Sequence, residues 1–205
     1  HLLHHREPQT PLALVGYSVG ANIGLKWLGE CGHRGEAPPL AAAVGVSVPF
    51  HLGEVAQQIR VGFSRVYEWY LLRSLRRDVA RKMAATDLGL AVTPRGLKRL
   101  TSFAKFDAQV TAPRHGFDDA TDYYERTRSS PWLRHIRVPT LIVNALNDPL
   151  VPPRLLPKPD QVSPHVTLHI TECGGHLGFV SGRWPWRPRY WLDDRITSFL
   201  DTAFA

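Results

Sequence analysis

The sequence predicts an α/β fold, a mostly parallel sheet flanked by helices with a helical insertion near its middle. Three observations carry this. Short apolar runs closed by glycine or proline alternate with segments of helical period, the pattern of strands buried on both faces. The first run is interrupted by Gly16-Tyr17-Ser18-Val19-Gly20 immediately before a helix-like stretch. From His51 to about Thr101 the period turns helical throughout, and the charge changes with it.

The elements follow in order. Pro11 to Val15 reads as a buried strand and Ala21 to Glu30 as the helix after it. Leu40 to Val48, closed by Pro49, is a second strand. The inserted helices carry apolar residues at Val61, Val66, Trp69, Tyr70, Leu72 and Leu75, with basic residues between them. Strand character returns at Val138 to Ala145 and at His165 to Thr171. The final stretch, from about Pro188 to Phe204, is helical, with Trp191, Ile196, Phe199 and Leu200 on one face. The expected division is residues 1–50 and 131–205 for the sheet core and residues 51–130 for the insertion.

With 205 residues, 43% of them apolar, the chain has material for one well-buried core. Its formal charge of +7 is concentrated. Between His51 and Lys105 there are 11 Lys and Arg against 4 Asp and Glu, and the rest of the chain balances at 14 against 14. Two cysteines, Cys31 and Cys173, make neither a disulfide scaffold nor a CxxC zinc pair, and they suit a reduced, cytoplasmic compartment. The longest uncharged stretch, Ala37 to Phe50, is broken by prolines and falls short of the roughly 18 apolar residues of a membrane span. His1 to Arg6 has neither a signal-peptide core nor a basic targeting pattern, so the chain reads as beginning in mid-domain.

The Gly16–Gly20 segment matches G-x-S-x-G between a strand and a helix, the setting of a nucleophile elbow, where flanking side chains are expected to collide with strand and helix. A serine hydroxyl is a weak nucleophile at neutral pH. It needs a base within hydrogen-bond reach and a third group to orient that base. Asp148 follows the strand ending near Ala145, and His176 follows the strand ending near Thr171 on a glycine-flanked loop. The order Ser, Asp, His is that of the α/β-hydrolases. Among competitors, His165 and His169 read as structural and Cys173 as a packed strand-end residue. Asp118, Asp119 and Asp122 read as a helix start, Asp193 and Asp194 as capping or solvated groups, and Asp107 remains a further carboxylate.

Beyond the elbow, Gly20-Ala21-Asn22, Phe106-Asp107, Thr111-Ala112-Pro113, Gly116-Phe117, Asp122-Tyr123-Tyr124, Pro139-Thr140-Leu141-Ile142-Val143 and Gly174-Gly175-His176-Leu177-Gly178-Phe179 run through nearly the whole chain. On these the sequence resembles the YheT-type α/β-hydrolases, bacterial esterases related to the animal abhydrolase-domain lipases. The resemblance implies the C-terminal portion of an α/β-hydrolase fold with a helical cap insertion. It also implies Ser18 as nucleophile, Asp148 as orienting acid and His176 as general base. Two departures are Ala21, where the family usually has a second glycine, and Asn147, where an acid often precedes the catalytic aspartate.

Acyl transfer also needs donors for the oxyanion. The backbone N–H of Val19 supplies one, and the resemblance puts the other on a His-Gly loop upstream of the elbow, so the chain is expected to be a fragment whose sheet has an open edge. The activity expected is hydrolysis of carboxylic esters through an acyl-serine, as in a carboxylesterase or acylglycerol lipase, incomplete in a fragment that lacks the second oxyanion donor. An acyltransferase or thioesterase could use the same residues, and a basic membrane-surface module without catalysis is the alternative of another class. Tyr17, Tyr67, Trp69 and Tyr70 are the candidate substrate-binding residues. The last three either line an acyl pocket or pack the insertion on the core. Expected partners are a small-molecule or lipid ester and an anionic membrane surface, with no nucleic acid, obligate protein partner, metal or cofactor implied.

Overall fold

The computed structural model describes residue 7 and residues 10–182 and 186–205, so His1–Arg6 lies outside the described residues. The chain divides into two compact units, one formed by the segments up to Phe50 and from Arg128, the other by His51–Thr127.

The first unit is built on four parallel strands in the order β1-β2-β3-β4: β1 Ala13–Tyr17, β2 Ala42–Val46, β3 Thr140–Ala145 and β4 Val166–Thr171. Every residue of β2 and β3 is buried. Their side chains alternate between two apolar clusters, as the pleat demands. Ala43 and Ile142 pack with Leu25 and Leu28 of helix α1, Val19–Arg34. Val44, Val46, Leu141 and Val143 pack with Phe179 and with Leu192 and Ile196 of the C-terminal helix, Trp191–Phe204. Helices on both faces explain why these strands read as unbroken apolar runs rather than alternating ones. β1 and β4 are the edges of this sheet among the described residues.

β1 runs through Gly16 to Tyr17, two residues further than its apolar run predicts, because Gly16 and Tyr17 continue the pairing with β2. The C-terminal helix starts at Trp191 instead of Pro188. Arg189–Tyr190 instead pairs antiparallel with Val180–Ser181 as the two-stranded sheet β5-β6. Asp193 and Asp194 lie in the first turn of that helix, where negative charge opposes the positive end of its dipole.

The second unit contains α2 Leu52–Gln58, α3 Ser64–Ala85, a 3₁₀ turn at Gly96–Arg99, α4 Phe103–Phe106, a π turn at Asp107–Thr111, α5 Ala112–His115 and α6 Ala120–Thr127. The C-terminal helix of the first unit is therefore α7. Leu72, Leu97, Leu100, Phe106 and Val110 make the second unit's core. Here the apolar period misleads. Val61, Val66, Trp69, Tyr70 and Leu75 are exposed, whereas Ser64, Glu68 and Leu72 form the buried face of α3. The carboxylate of Glu68 turns inward because it accepts a hydrogen bond from the Phe103 N–H at 3.1 Å. Asp119 accepts from the N–H of Asp122 at 2.8 Å, the N-cap arrangement that the acidic cluster suggested.

Asp107 is buried in the π turn and accepts from Thr111 Oγ1 and from the Tyr124 hydroxyl, each at 2.6 Å. Burial raises its pKa, outweighing the two hydrogen bonds that lower it, and burial with the Asp107 charge also raises the Tyr124 phenol. The folded chain thus holds the Asp107 proton more tightly than the unfolded chain. Stability from this group is full below the ordinary carboxylate pKa near 4 and is lost as pH rises through the raised folded value. In urea unfolding at stepped pH, the stability of the wild type relative to Asp107→Asn is expected to fall as pH rises across that window. A difference that does not change with pH contradicts this account of Asp107.

Candidate active site

The three predicted catalytic residues stand at the C-terminal ends of strands of one sheet, where sites of open α/β sheets lie. Ser18 follows β1 directly and precedes α1, with φ 50° and ψ −126°. A positive φ at a serine is strained, and the surroundings hold it there. Its N–H donates to the Val46 carbonyl at 2.8 Å, and its own carbonyl accepts from Asn22 N–H at 3.1 Å. Gly16 is required sterically, since a Cβ there would lie 2.7 Å from the Ala21 Cα. Gly20 is not, because a Cβ there meets nothing within 4 Å, so the collision expected on that side of the elbow is absent.

His176 links the other two. Its Nε2 is 3.0 Å from Ser18 Oγ and its Nδ1 is 2.8 Å from Asp148 Oδ2. The Asp148 side chain is inaccessible to solvent, and that of His176 is 12% accessible. The second carboxylate oxygen, Oδ1, accepts from the N–H groups of Leu150 at 2.8 Å and Val151 at 3.3 Å. With both oxygens engaged, the carboxylate accepts from Nδ1–H, which leaves the Nε2 lone pair for the serine hydroxyl. Val19 is the first residue of α1, so its N–H has no acceptor within the helix and lies beside the nucleophile.

Tyr17 is partly exposed next to Ser18, whereas Tyr67, Trp69 and Tyr70 lie exposed on α3 in the second unit, outside its core. Within the second unit the inward face of α3 belongs to Ser64, Glu68 and Leu72. Cys173 also departs from expectation. It is exposed, because the chain turns away from β4 after Thr171, and Cys31 on α1 is the buried cysteine. His169 accepts from Arg195 Nε at 3.1 Å and meets the Trp191 ring edge-on, and burial followed by the Arg195 charge lowers its pKa, which suits a neutral structural acceptor.

Two residues beside the site escaped the sequence reasoning. Ser47, fully buried, follows β2 directly and hydrogen-bonds the His176 carbonyl. Asn147 stood out only as a departure from a family pattern. Its Oδ1 accepts from the N–H groups of Gly174 at 3.0 Å and Gly175 at 2.9 Å. For Ser47 the available signal was a polar residue at the end of an apolar run, the same position that Ser18 occupies after β1.

Among the described residues no cluster of three His, Cys, Asp or Glu could hold a metal ion, and no helix is long and apolar enough to cross a membrane. The chain is 41% identical over 94% of its length to the Escherichia coli protein YheT, named as a candidate esterase, of which it covers 55%. It is 27% identical over its whole length to the human phospholipase ABHD3, covering 47% of it. It thus spans about half the length of the curated relatives it matches. A solved esterase from Pyrococcus furiosus superposes on the whole chain with a TM-score of 0.54 at 14% identity, over 58% of that structure, which is a likeness of fold. The α/β hydrolase fold family model matches residues 6–182, taking in the elbow, both loops and the parallel sheet, and on that match the chain belongs to the α/β-hydrolase fold family.

Proposed function

We propose that this protein is a serine hydrolase that cleaves carboxylic esters through an acyl-serine intermediate. The observation that carries the proposal is the hydrogen-bonded chain Ser18–His176–Asp148, with both imidazole nitrogens engaged at 3.0 and 2.8 Å. In this reading Nε2 of His176 takes the Ser18 proton as Oγ attacks the ester carbonyl. The Asp148 carboxylate stabilises the imidazolium that results. The Val19 N–H donates to the oxyanion of the tetrahedral intermediate. As that intermediate collapses, the alcohol leaves with the proton from His176 and the acyl group stays on Oγ. A water molecule then gives its proton to Nε2 and attacks the acyl carbon, releasing the acid and restoring Ser18. Tyr17, beside the nucleophile, is the proposed contact for the substrate at the reacting centre.

The phospholipase among the relatives favours a lipid ester as substrate, and the surface of the second unit supports that choice. Phe63 is 74% exposed, Tyr70 67% and Val61 62%, alongside exposed Val66, Tyr67 and Trp69. Arg73 lies over the Trp69 ring at 5.5 Å, and Arg65 and Arg77 are exposed on the same helix. Exposed Trp and Tyr with arginines alongside suit the headgroup boundary of an anionic membrane. We assign lipid contact to Tyr67, Trp69 and Tyr70 at this surface.

Hydrolysis of esters of graded acyl length, with and without anionic vesicles, tests both parts. Turnover of esters that rises with anionic vesicles at low salt, and not with neutral ones, is the expected result. An activated ester that leaves Ser18 unacylated contradicts the reaction, and equal turnover with and without vesicles contradicts the membrane contact.

A further inference from the structure

The imidazole of His176 reaches both partners only while the turn that carries it keeps its place. That turn contains Gly174, Gly175 and Gly178, and glycines bring conformational freedom rather than rigidity. Gly175 has φ 62°, a left-handed state that glycine reaches without strain and that does not by itself fix the turn. Phe179 N–H donates to the Gly174 carbonyl at 2.8 Å and closes the turn on itself. Two side chains from other segments hold it from outside.

Asn147 receives the N–H groups of Gly174 and Gly175, immediately ahead of the histidine. Ser47 hydrogen-bonds the carbonyl of His176 itself. Ser47 has φ 50°, the same value as Ser18. The adjacent strands β1 and β2 are therefore each followed directly by a serine with positive φ. One faces the His176 imidazole and the other its main chain. Asn147 is exposed, so its role is not core packing, and its side-chain oxygen takes both donors.

We infer that Asn147 and Ser47 are positioning residues for His176, fixing the turn so that Nδ1 meets Asp148 and Nε2 meets Ser18 together. This rests on the proposed role of Ser18, His176 and Asp148. A displacement of about 1 Å in such a group costs on the order of a hundredfold in rate.

The test uses the whole chain with Asn147→Leu, which keeps the size and removes the acceptor, and Asn147→Asp, which keeps an acceptor. Two readouts apply: the downfield Nδ1–H proton resonance of the His176–Asp148 pair, and the rate at which a fluorophosphonate labels Ser18. Asn147→Leu is expected to lose the resonance to solvent exchange and to slow labelling roughly tenfold to a hundredfold. Asn147→Asp is expected to restore both. Ser47→Ala, checked for folding by circular dichroism, is expected to weaken the resonance as well. Asn147→Leu with the resonance and labelling rate of the wild type overturns the inference, and so does a wild type without the resonance. A wild type that shows the resonance but resists labelling contradicts the proposed reaction instead, and the resonance of Asn147→Leu then decides the positioning role.

Discussion

Asp148→Asn is expected to lower the rate of acylation about ten-thousandfold while the chain stays folded. The direction follows from how the carboxylate is held. Its Oδ1 already takes the N–H groups of Leu150 and Val151, so an asparagine amide would keep its single oxygen there. The amide nitrogen would then face Nδ1 of His176, at the place where Oδ2 now lies 2.8 Å away. An N–H aimed at Nδ1 puts the histidine proton on Nε2, the atom 3.0 Å from Ser18 Oγ. The serine then faces a donor and has no base. Single-turnover acylation by an activated ester measures this directly, and a loss of less than tenfold would show that Asp148 does not set the tautomer.

Gly32→Ala is expected to cost about 3 kcal/mol of stability, the upper end of what overpacking does, and Gly29→Ala a similar amount. Both glycines face the 3₁₀ segment Ser130–His135. A Cβ at Gly32 would lie 1.8 Å from the His135 carbonyl oxygen, and one at Gly29 would lie 2.3 Å from the Trp132 carbonyl oxygen. The obstacles are backbone, so no side-chain rotation relieves them. Alanine gains about 1 kcal/mol of helix propensity over glycine, which offsets only part of the cost. Gly20→Ala in the same helix, where the space is open, is the contrast and should be neutral or stabilising. Urea midpoints for the three variants check the ranking, and equal midpoints would mean that α1 can shift away from the 3₁₀ segment.

These two cases mark how far the sequence could be read. The strands at Ala42–Val46 and Thr140–Ala145 were legible because both faces are covered, which leaves a continuous apolar run. Ser18, Asp148 and His176 were legible because each lies within a few residues of the end of a strand, and position after a strand implies position above the sheet. The face of α3 was not legible. Glu68 is buried through a bond to Phe103, 35 residues away, and nothing local to the helix records that partner. The two-residue strands at Val180–Ser181 and Arg189–Tyr190 are too short to carry a period, so the helix was expected to begin earlier than it does. Ser47 was missed for a related reason. Its hydroxyl reaches the His176 carbonyl across 129 residues of sequence, and a lone serine at a strand end has no pattern of its own. The charge and its concentration between His51 and Lys105 were legible, and they gain meaning with the exposed aromatic residues beside them.

The central claim is that Ser18 is the acylated nucleophile and that His176 activates it. Peptide mapping by mass spectrometry after treatment with a fluorophosphonate tests this most directly. One adduct is expected, on the peptide containing Ser18, absent in Ser18→Ala and strongly slowed in His176→Ala. An adduct on another residue that persists in Ser18→Ala would contradict the claim.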